Sequence, residues 1–455
     1  MRIALLSVAT LISISIPAVA QKKTAMPETH WVATWASAQQ VPRAGFARPA
    51  APPAGAGAAS TAAPTAAAPG VAAPVAAAPT APIAPPTPRP ARGFNNQTLR
   101  MVFHASLGGS QVRVHLSNAY GASPLVVGAA HIALHGADSG IVAGSDHALT
   151  FGGRSSTTIP VGAEMISDAV AMDLPKVAEL AVSVYVSGDT GPADVHSLGL
   201  HTTWVSQAGD FTGAASFTDP EKTQSWYWVS EVDVQAPAAA ATIIAFGDSI
   251  TDGATSTPDT DRSWPSYLAQ RIAANPATAN IAVVNQGISG NKVLSDGAGV
   301  SALARFDRDV LAVPGAKWLM ILEGINDING AARPTPGTWP ITADDLIGAM
   351  KQMITKAHDH GIQVIGCTLT PFGNATDSAE AMRTRLNDFI RNGGMFDKVV
   401  DFDAVIRDPA SPRQFKAGYN NTDKLHPNDA GYKAMADAID LSMFASLQAA
   451  GRSGR

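Results

Sequence analysis

The rhythm of apolar residues changes once along this 455-residue chain, near residue 240, and that change governs what it can fold into. From Ala241 onward, short apolar runs alternate with segments whose apolar residues recur at helical spacing. TIIAF is followed by SWPSYLAQRIAA, IAVVNQG by VSALARFDRDVLA, and KWLMILEG by TADDLIGAMKQMITKAHDH. QVIGCTLTPF, SAEAMRTRLNDFIRN, KVVDFD and NDAGYKAMADAIDLSMFASLQ continue the order. Parallel strands need long crossovers, and a helix is the usual one. The alternation therefore predicts an α/β region whose parallel sheet is covered by helices on both faces. In such sheets the functional crevice lies beyond the carboxyl ends of the strands.

Upstream the helical spacing is missing. Between residues 98 and about 236, segments such as VRVHLSN, LVVGAAHIALH and LAVSVYVSG cluster β-branched residues between Gly, Asp, Asn and Pro breaks. That pattern predicts an antiparallel β-sandwich over residues 21–236, ahead of a second domain at 237–450. From residue 45 to 92 the chain is almost entirely Ala, Pro, Gly and Thr. Repeated prolines exclude a long helix there, so we expect an extended or disordered insert. Strand-like HWVATWASAQ precedes it and TLRMVFHASLGG follows, which places it inside the first domain.

The chain begins with Arg2, an apolar run and the small-residue ending Ala18-Val19-Ala20. This is the pattern of a secretory signal peptide over residues 1–20, cut after Ala20, and it predicts a secreted or periplasmic protein with no membrane anchor after cleavage. A net charge of −5 with 15% charged residues gives no basic face for a nucleic acid. A single cysteine, Cys367, excludes an intrachain disulfide, and its apolar surroundings suit a packed, inert thiol.

One strand end carries the sharpest chemical pattern. IIAF runs into Gly247-Asp248-Ser249, leaving a hydroxyl just past a strand terminus. A serine hydroxyl is a poor nucleophile unless an oriented base takes its proton. DKLHPNDAGY supplies that pair, since Asp423 and His426 are spaced so that one side chain can reach the other. Pro427 suits the opening of the last helix, which would leave His426 on the loop leading into it. Acyl transfer also needs donors for a developing oxyanion. QGISGNKVL offers Gly290 or Gly287, and EGINDI offers the side-chain amide of Asn326, each in a loop after a strand. Turn chemistry alone explains any one of these. Asp248 and Asp252 are expected to bind backbone N–H groups around the serine turn, and Glu323 and Asp327 to be structural.

GDS, a Gly loop, GxND and DxxHP, in this order after successive strands, make residues 241–447 similar to the SGNH hydrolase superfamily, the GDSL-type esterases and lipases. The resemblance implies a three-layer α/β/α fold and ester hydrolysis through an acyl-enzyme, with no metal or organic cofactor. It assigns Ser249, Asp423 and His426 as the triad and Ser249, Gly290 and Asn326 as the oxyanion hole. The upstream segments HWVATWASAQ, FNNQTLRMVFHASLGG and VRVHLSNAYG resemble a bacterial subgroup of arylesterases and acylhydrolases from polysaccharide degraders, from which the Ala/Pro-rich insert departs. The expected function is removal of small acyl groups, acetyl among them, from carbohydrate or similar esters. A lipid or aryl-ester acylhydrolase is the alternative within enzymes. A non-catalytic glycan-binding protein with a vestigial hydrolase domain is the alternative from another class. The residues leave the oligomeric state open.

Overall fold

The computed structural model describes residues 28–42, 91–333 and 339–444. The expected signal peptide and nearly all of the Ala/Pro-rich insert lie outside these residues. No helix among the described residues is long and apolar enough to cross a membrane.

Two antiparallel sheets fill the N-terminal region beside a small two-stranded one, Val195–His196 with Trp226–Tyr227. One has the order Thr29–Ala36, Val229–Pro237, Gly109–Ser117 and Glu164–Ile166, with Val170–Leu174 also paired to Gly109–Ser117. The other is built around Thr203–Ala208, Gln97–Ala105, Ala178–Val186 and Leu125–Leu134. The strands on either side of the insert thus join different sheets. Alternate residues of both, including Val112, Val114, Leu116, Val232 and Val234 from the first and Leu99, Met101, Phe103, Val182 and Val184 from the second, meet in one buried apolar cluster. Period-two alternation produces this, because successive side chains of a strand point to opposite faces.

On the first sheet, the residues between them point away from that cluster and include two facing pairs of ionisable side chains. His115 lies opposite Glu231, and Arg113 opposite Asp233, on neighbouring strands. His115 donates from Nδ1 to Glu164 at 2.9 Å and from Nε2 to Asp233 at 3.0 Å, while Arg113 Nε donates to Asp233 at 2.7 Å. Burial alone would lower the His115 pKa. The hydrogen bonds to Asp233 and Glu164, with the charges of Glu231 and Asp233, outweigh it and push the value up to about 10. Glu231 is held well above the usual carboxylate range, by burial first and by the charge of Asp233 second.

A folded-state pKa raised above the unfolded value of about 6.5 stabilises fully below that pH and stops doing so as pH rises through the folded value. The melting temperature should therefore fall between pH 6.5 and about 10. His115→Gln should melt lower than wild type at pH 6 and show a much shallower fall across the same window. Parallel melting curves for the two proteins would show that His115 is not the titrating group.

The C-terminal region contains five parallel strands in the order Ile281–Gly287, Ala241–Gly247, Ala316–Leu322, Gln363–Cys367 and Lys398–Val400. Helices Trp264–Ala274, Ala343–Asp359, Asp377–Asn392 and Asp429–Asp437 alternate with them. Thr342 caps the second of these with Asp345 in a reciprocal capping box, so the sequence itself marks where the helix starts. Apolar residues of sheet and helices form one cluster, from Ile243, Ile244 and Leu319 to Leu346, Met353 and Leu386. Cys367 is fully buried in it, and burial raises its thiol pKa, which leaves it unreactive.

Three local expectations change. VSALARFDRDVLA forms a short helix, Ala302–Phe306, that widens into a π-helical turn, Asp307–Leu311. EGINDI is not a loop: helix Ile325–Ala331 begins within it, after Gly324 at φ 115°. A small antiparallel pair, Arg407–Asp408 with Ser411–Phe415, follows the last strand of the sheet and left no periodic signal in so few residues.

The two regions are joined closely. Strand Ile281–Gly287 is an edge of the parallel sheet, and Ser106 Oγ of the N-terminal region accepts its Val283 N–H at 3.0 Å. Ala33 N–H donates to the Pro314 carbonyl at 3.0 Å, and Thr242 Oγ donates back to the Ala33 carbonyl at 3.1 Å. An open sheet edge invites pairing with other chains, and here the neighbouring region blocks it.

Candidate active site

Strands Ala241–Gly247, Ile281–Gly287 and Ala316–Leu322 end level with one another, with Gly247 opposite both Gly287 and Leu322. The chain leaves Gly247 directly into a single helical turn, Ser249–Asp252. Asp248 caps it, its Oδ1 accepting the Ile250 N–H at 2.9 Å. The turn lies so near the sheet that a Cβ on Gly287 would stand 2.3 Å from the Asp252 nitrogen, and one on Gly247 2.3 Å from the Leu322 carbonyl oxygen. Glycine at both positions lets the serine turn sit directly on the strand ends.

Ser249 is 5% exposed. Its Oγ is 2.7 Å from Nε2 of His426, and Nδ1 of His426 is 2.6 Å from Oδ2 of Asp423. A carboxylate only accepts, so Nδ1 carries a proton; in the neutral ring Nε2 is then an acceptor and the serine hydroxyl donates to it. Burial works against the charge of Asp423, but hydrogen bonds from the His426 side chain and from the His426 and Leu425 backbone hold its pKa below the usual value. The loop carrying His426 is fixed by Asn421 N–H to the His426 carbonyl at 2.9 Å and by Thr255 Oγ to the Pro427 carbonyl at 2.8 Å. Pro427 does not open the last helix. Asn428 caps it, accepting the Gly431 N–H, and the helix begins at Asp429. An asparagine side chain satisfies a free helix N–H, which a proline ring cannot do.

Gly290 sits at φ +80° in the turn that follows the second strand, closed by Asn291 N–H to the Ile288 carbonyl at 2.9 Å. Asn326, in the first turn of helix Ile325–Ala331, donates from Nδ2 to the Asn291 carbonyl at 2.9 Å. The amide is thus tied to the Gly290 turn by one of its two hydrogens. Two carboxylates hold that turn in place. Asp327 accepts the Val293 and Leu294 N–H groups at 2.8 and 3.1 Å. Asp252 Oδ2 accepts the Ser289 N–H at 2.7 Å and the Ser289 hydroxyl at 2.6 Å. Asp248 therefore binds its own turn as expected, while Asp252 reaches across to a different one.

Beneath the strand ends lies a buried acidic group. Burial and neighbouring carboxylates push Asp248 up to about 7 and raise Glu323 well above the usual range, while burial alone raises Asp327 against its hydrogen bonds from the Val293 and Leu294 N–H groups. Arg305 is 1% exposed and stands over the Phe246 ring. It donates to the Gly247 carbonyl at 3.0 Å, the Gln286 carbonyl at 2.8 Å and Asn291 Oδ1 at 2.9 Å. One guanidinium fork thus links two strand ends to the Gly290 turn.

A family model described as GDSL-like Lipase/Acylhydrolase matches residues 243–439, the segment that holds all of these groups. That segment is a GDSL-like lipase/acylhydrolase domain. It is a carboxylic ester hydrolase. Similar solved structures include an alpha/beta hydrolase, LAE5, from the metagenome of Lake Arreo, Spain, at 21% identity over 46% of this chain and 97% of that one, with a TM-score of 0.37. An acetylxylan esterase from Geobacillus stearothermophilus, solved as a catalytic mutant, is 23% identical over 44% of this chain and 91% of that one, with a TM-score of 0.35. A member of the lipolytic protein G-D-S-L family from Veillonella parvula is 22% identical over 46% of this chain and 100% of that one, with a TM-score of 0.33. No curated protein matches the chain.

Sequence reasoning missed Arg305 and His196 at this GDSL domain. Arg305 left a signal, since it falls on the same helical face as the buried Ala302 and Phe306. His196 left none, because it comes from the N-terminal sheets and meets Asp252 only through the fold. The sequence also showed no metal-ligand spacing. Among the described residues His115, Glu231 and Asp233 do come within ligand distance of one another, on the N-terminal sheets. The hydrogen bonds of both His115 nitrogens and of Arg113 already engage that cluster.

Proposed function

We propose that the GDSL domain cleaves esters with Ser249 as nucleophile, His426 as base and Asp423 as the group that orients the base. The observation that carries this reading is the unbroken chain from Ser249 Oγ through His426 to Asp423, with contacts of 2.7 and 2.6 Å. As Oγ attacks the ester carbonyl carbon, its proton passes to Nε2 of His426, and Asp423 stabilises the imidazolium. The carbonyl oxygen becomes an oxyanion, for which the Ser249 and Gly290 N–H groups and the second amide hydrogen of Asn326 are the donors. The imidazolium then gives its proton to the departing alcohol, leaving an acyl-serine. Water, deprotonated by His426, attacks the acyl carbon and releases the acid and the free serine.

The acyl group we propose is small, acetyl foremost, and the alcohol a carbohydrate or similar polyol. The 5% exposure of Ser249, with His426 over its hydroxyl, favours a short acyl chain. We read residues 1–20 as a secretory signal, residues 21–236 as a β-sandwich and residues 237–450 as a three-layer hydrolase domain. That organisation suits an exported enzyme meeting its substrate outside the cytoplasm. A fluorophosphonate probe should label Ser249 alone. In a panel of acetyl, butyryl, octanoyl and feruloyl esters, the acetyl ester should turn over fastest. A label on another residue would overturn the nucleophile assignment, and preference for the octanoyl ester would favour a lipid acylhydrolase instead.

A further inference from the structure

We propose that His196, a residue of the N-terminal sheets, is a positioning residue for this ester hydrolysis: through Asp252 it fixes the turn that carries Gly290. The inference rests on the catalytic reading above and adds to it a part for the domain that holds no member of the triad.

His196 is 3% exposed and held from three sides. Its Nδ1 is 2.9 Å from the Ala38 carbonyl oxygen and its Nε2 3.0 Å from Asp252 Oδ1. Its ring stacks on Trp226, with centroids 5.5 Å apart and planes 28° from parallel. Trp226 is itself anchored by its indole N–H to the Val102 carbonyl at 2.9 Å. A carbonyl and a carboxylate only accept, so both ring nitrogens are donors and His196 is the cation of a buried ion pair.

Asp252 closes the helical turn that Ser249 opens. One of its oxygens faces His196, and the other takes both the N–H and the hydroxyl of Ser289. Gly290 follows Ser289 directly, at φ +80°. The path from the N-terminal sheets to the Gly290 turn is therefore one side chain and one carboxylate long. A buried carboxylate oxygen that loses its hydrogen-bond donor must turn toward another donor or draw in water. Either change weakens the hold on Ser289 and lets the Gly290 N–H drift from where an oxyanion forms. A misplacement of about 1 Å at such a donor costs on the order of 10²-fold in rate, because the contact matters in the transition state. Ground-state binding of the ester does not need it.

The test uses full-length protein and a small soluble acetyl ester, with kcat, KM and melting temperature measured together. Asparagine at 196 can reach the Ala38 carbonyl but not Asp252, whereas glutamine extends to the Nε2 position. His196→Asn should lower kcat by about 10- to 100-fold with KM changed by less than about 3-fold. His196→Gln should recover most of that loss. Ser289→Ala, which leaves the packing around His196 untouched, gives up one of the two bonds to Asp252 and should cost about 3- to 10-fold in kcat. Wild-type kcat in a destabilised His196→Asn, no recovery with glutamine, or unchanged kcat in Ser289→Ala would each overturn the proposal. Ser249→Ala measured alongside separates the two readings. Normal turnover in Ser249→Ala would overturn the catalytic assignment, while a dead Ser249→Ala beside a normal His196→Asn would overturn the positioning role alone.

Discussion

Ser249→Ala should retain its fold and lose about 10⁴- to 10⁶-fold of its esterase kcat, the span seen when a triad member is removed and only binding and oxyanion donors remain. The fold should survive because the hydroxyl makes one side-chain contact, to His426, and the turn is capped by Asp248 instead. The change deletes one atom at a 5% exposed position, too little to open a cavity of consequence. Circular dichroism and melting temperature near wild type, with no turnover and no fluorophosphonate label, are the expected results. A variant with wild-type kcat would remove Ser249 from the reaction.

Asn326→Ala should lower kcat by about 10²- to 10³-fold, about 3–4 kcal/mol, which is the usual cost of one oxyanion donor. KM should move far less, since the amide acts where charge develops. The structure adds a second consequence. Nδ2 also donates to the Asn291 carbonyl, so the variant leaves that acceptor without its partner and should lose about 1 kcal/mol of stability. Both effects are expected together. Ser249 should still react with a fluorophosphonate, though more slowly, because it keeps His426 at 2.7 Å. A drop in melting temperature with nearly normal kcat would assign Asn326 to the Gly290 turn alone.

What was legible in the sequence was what is local. Asp423 and His426 are three residues apart, and a turn brings them together whatever surrounds it. The strand–helix alternation marked the succession of parallel strands along the chain, though not their order in the sheet, because each helix carries its own apolar stripe and several carry their own caps. Asn326 could be picked out as a residue, but not its helix, since a seven-residue helix opened by Gly324 has little periodicity to read. The direction in which Asp252 points was equally hidden. Its partners, His196 and Ser289, lie on separate segments, and nothing in GDSITDG tells the two aspartates of the motif apart. Arg305 lies between: its place on a buried face was visible, and the groups it grips on the strand ends and the Gly290 turn were not.

The first described strand, Thr29–Ala36, pairs with Val229–Pro237, the last strand before the hydrolase domain, and lies along the edge of the parallel sheet. Its partner is synthesised only after the whole of the remaining N-terminal region. Contacts so distant in sequence form late, because the loop they close must first lose its freedom. During synthesis, then, Thr29–Ala36 has no strand to pair with until Val229–Pro237 has been made. The same delay leaves a newly made molecule exposed to sticking to its copies until that closing strand arrives.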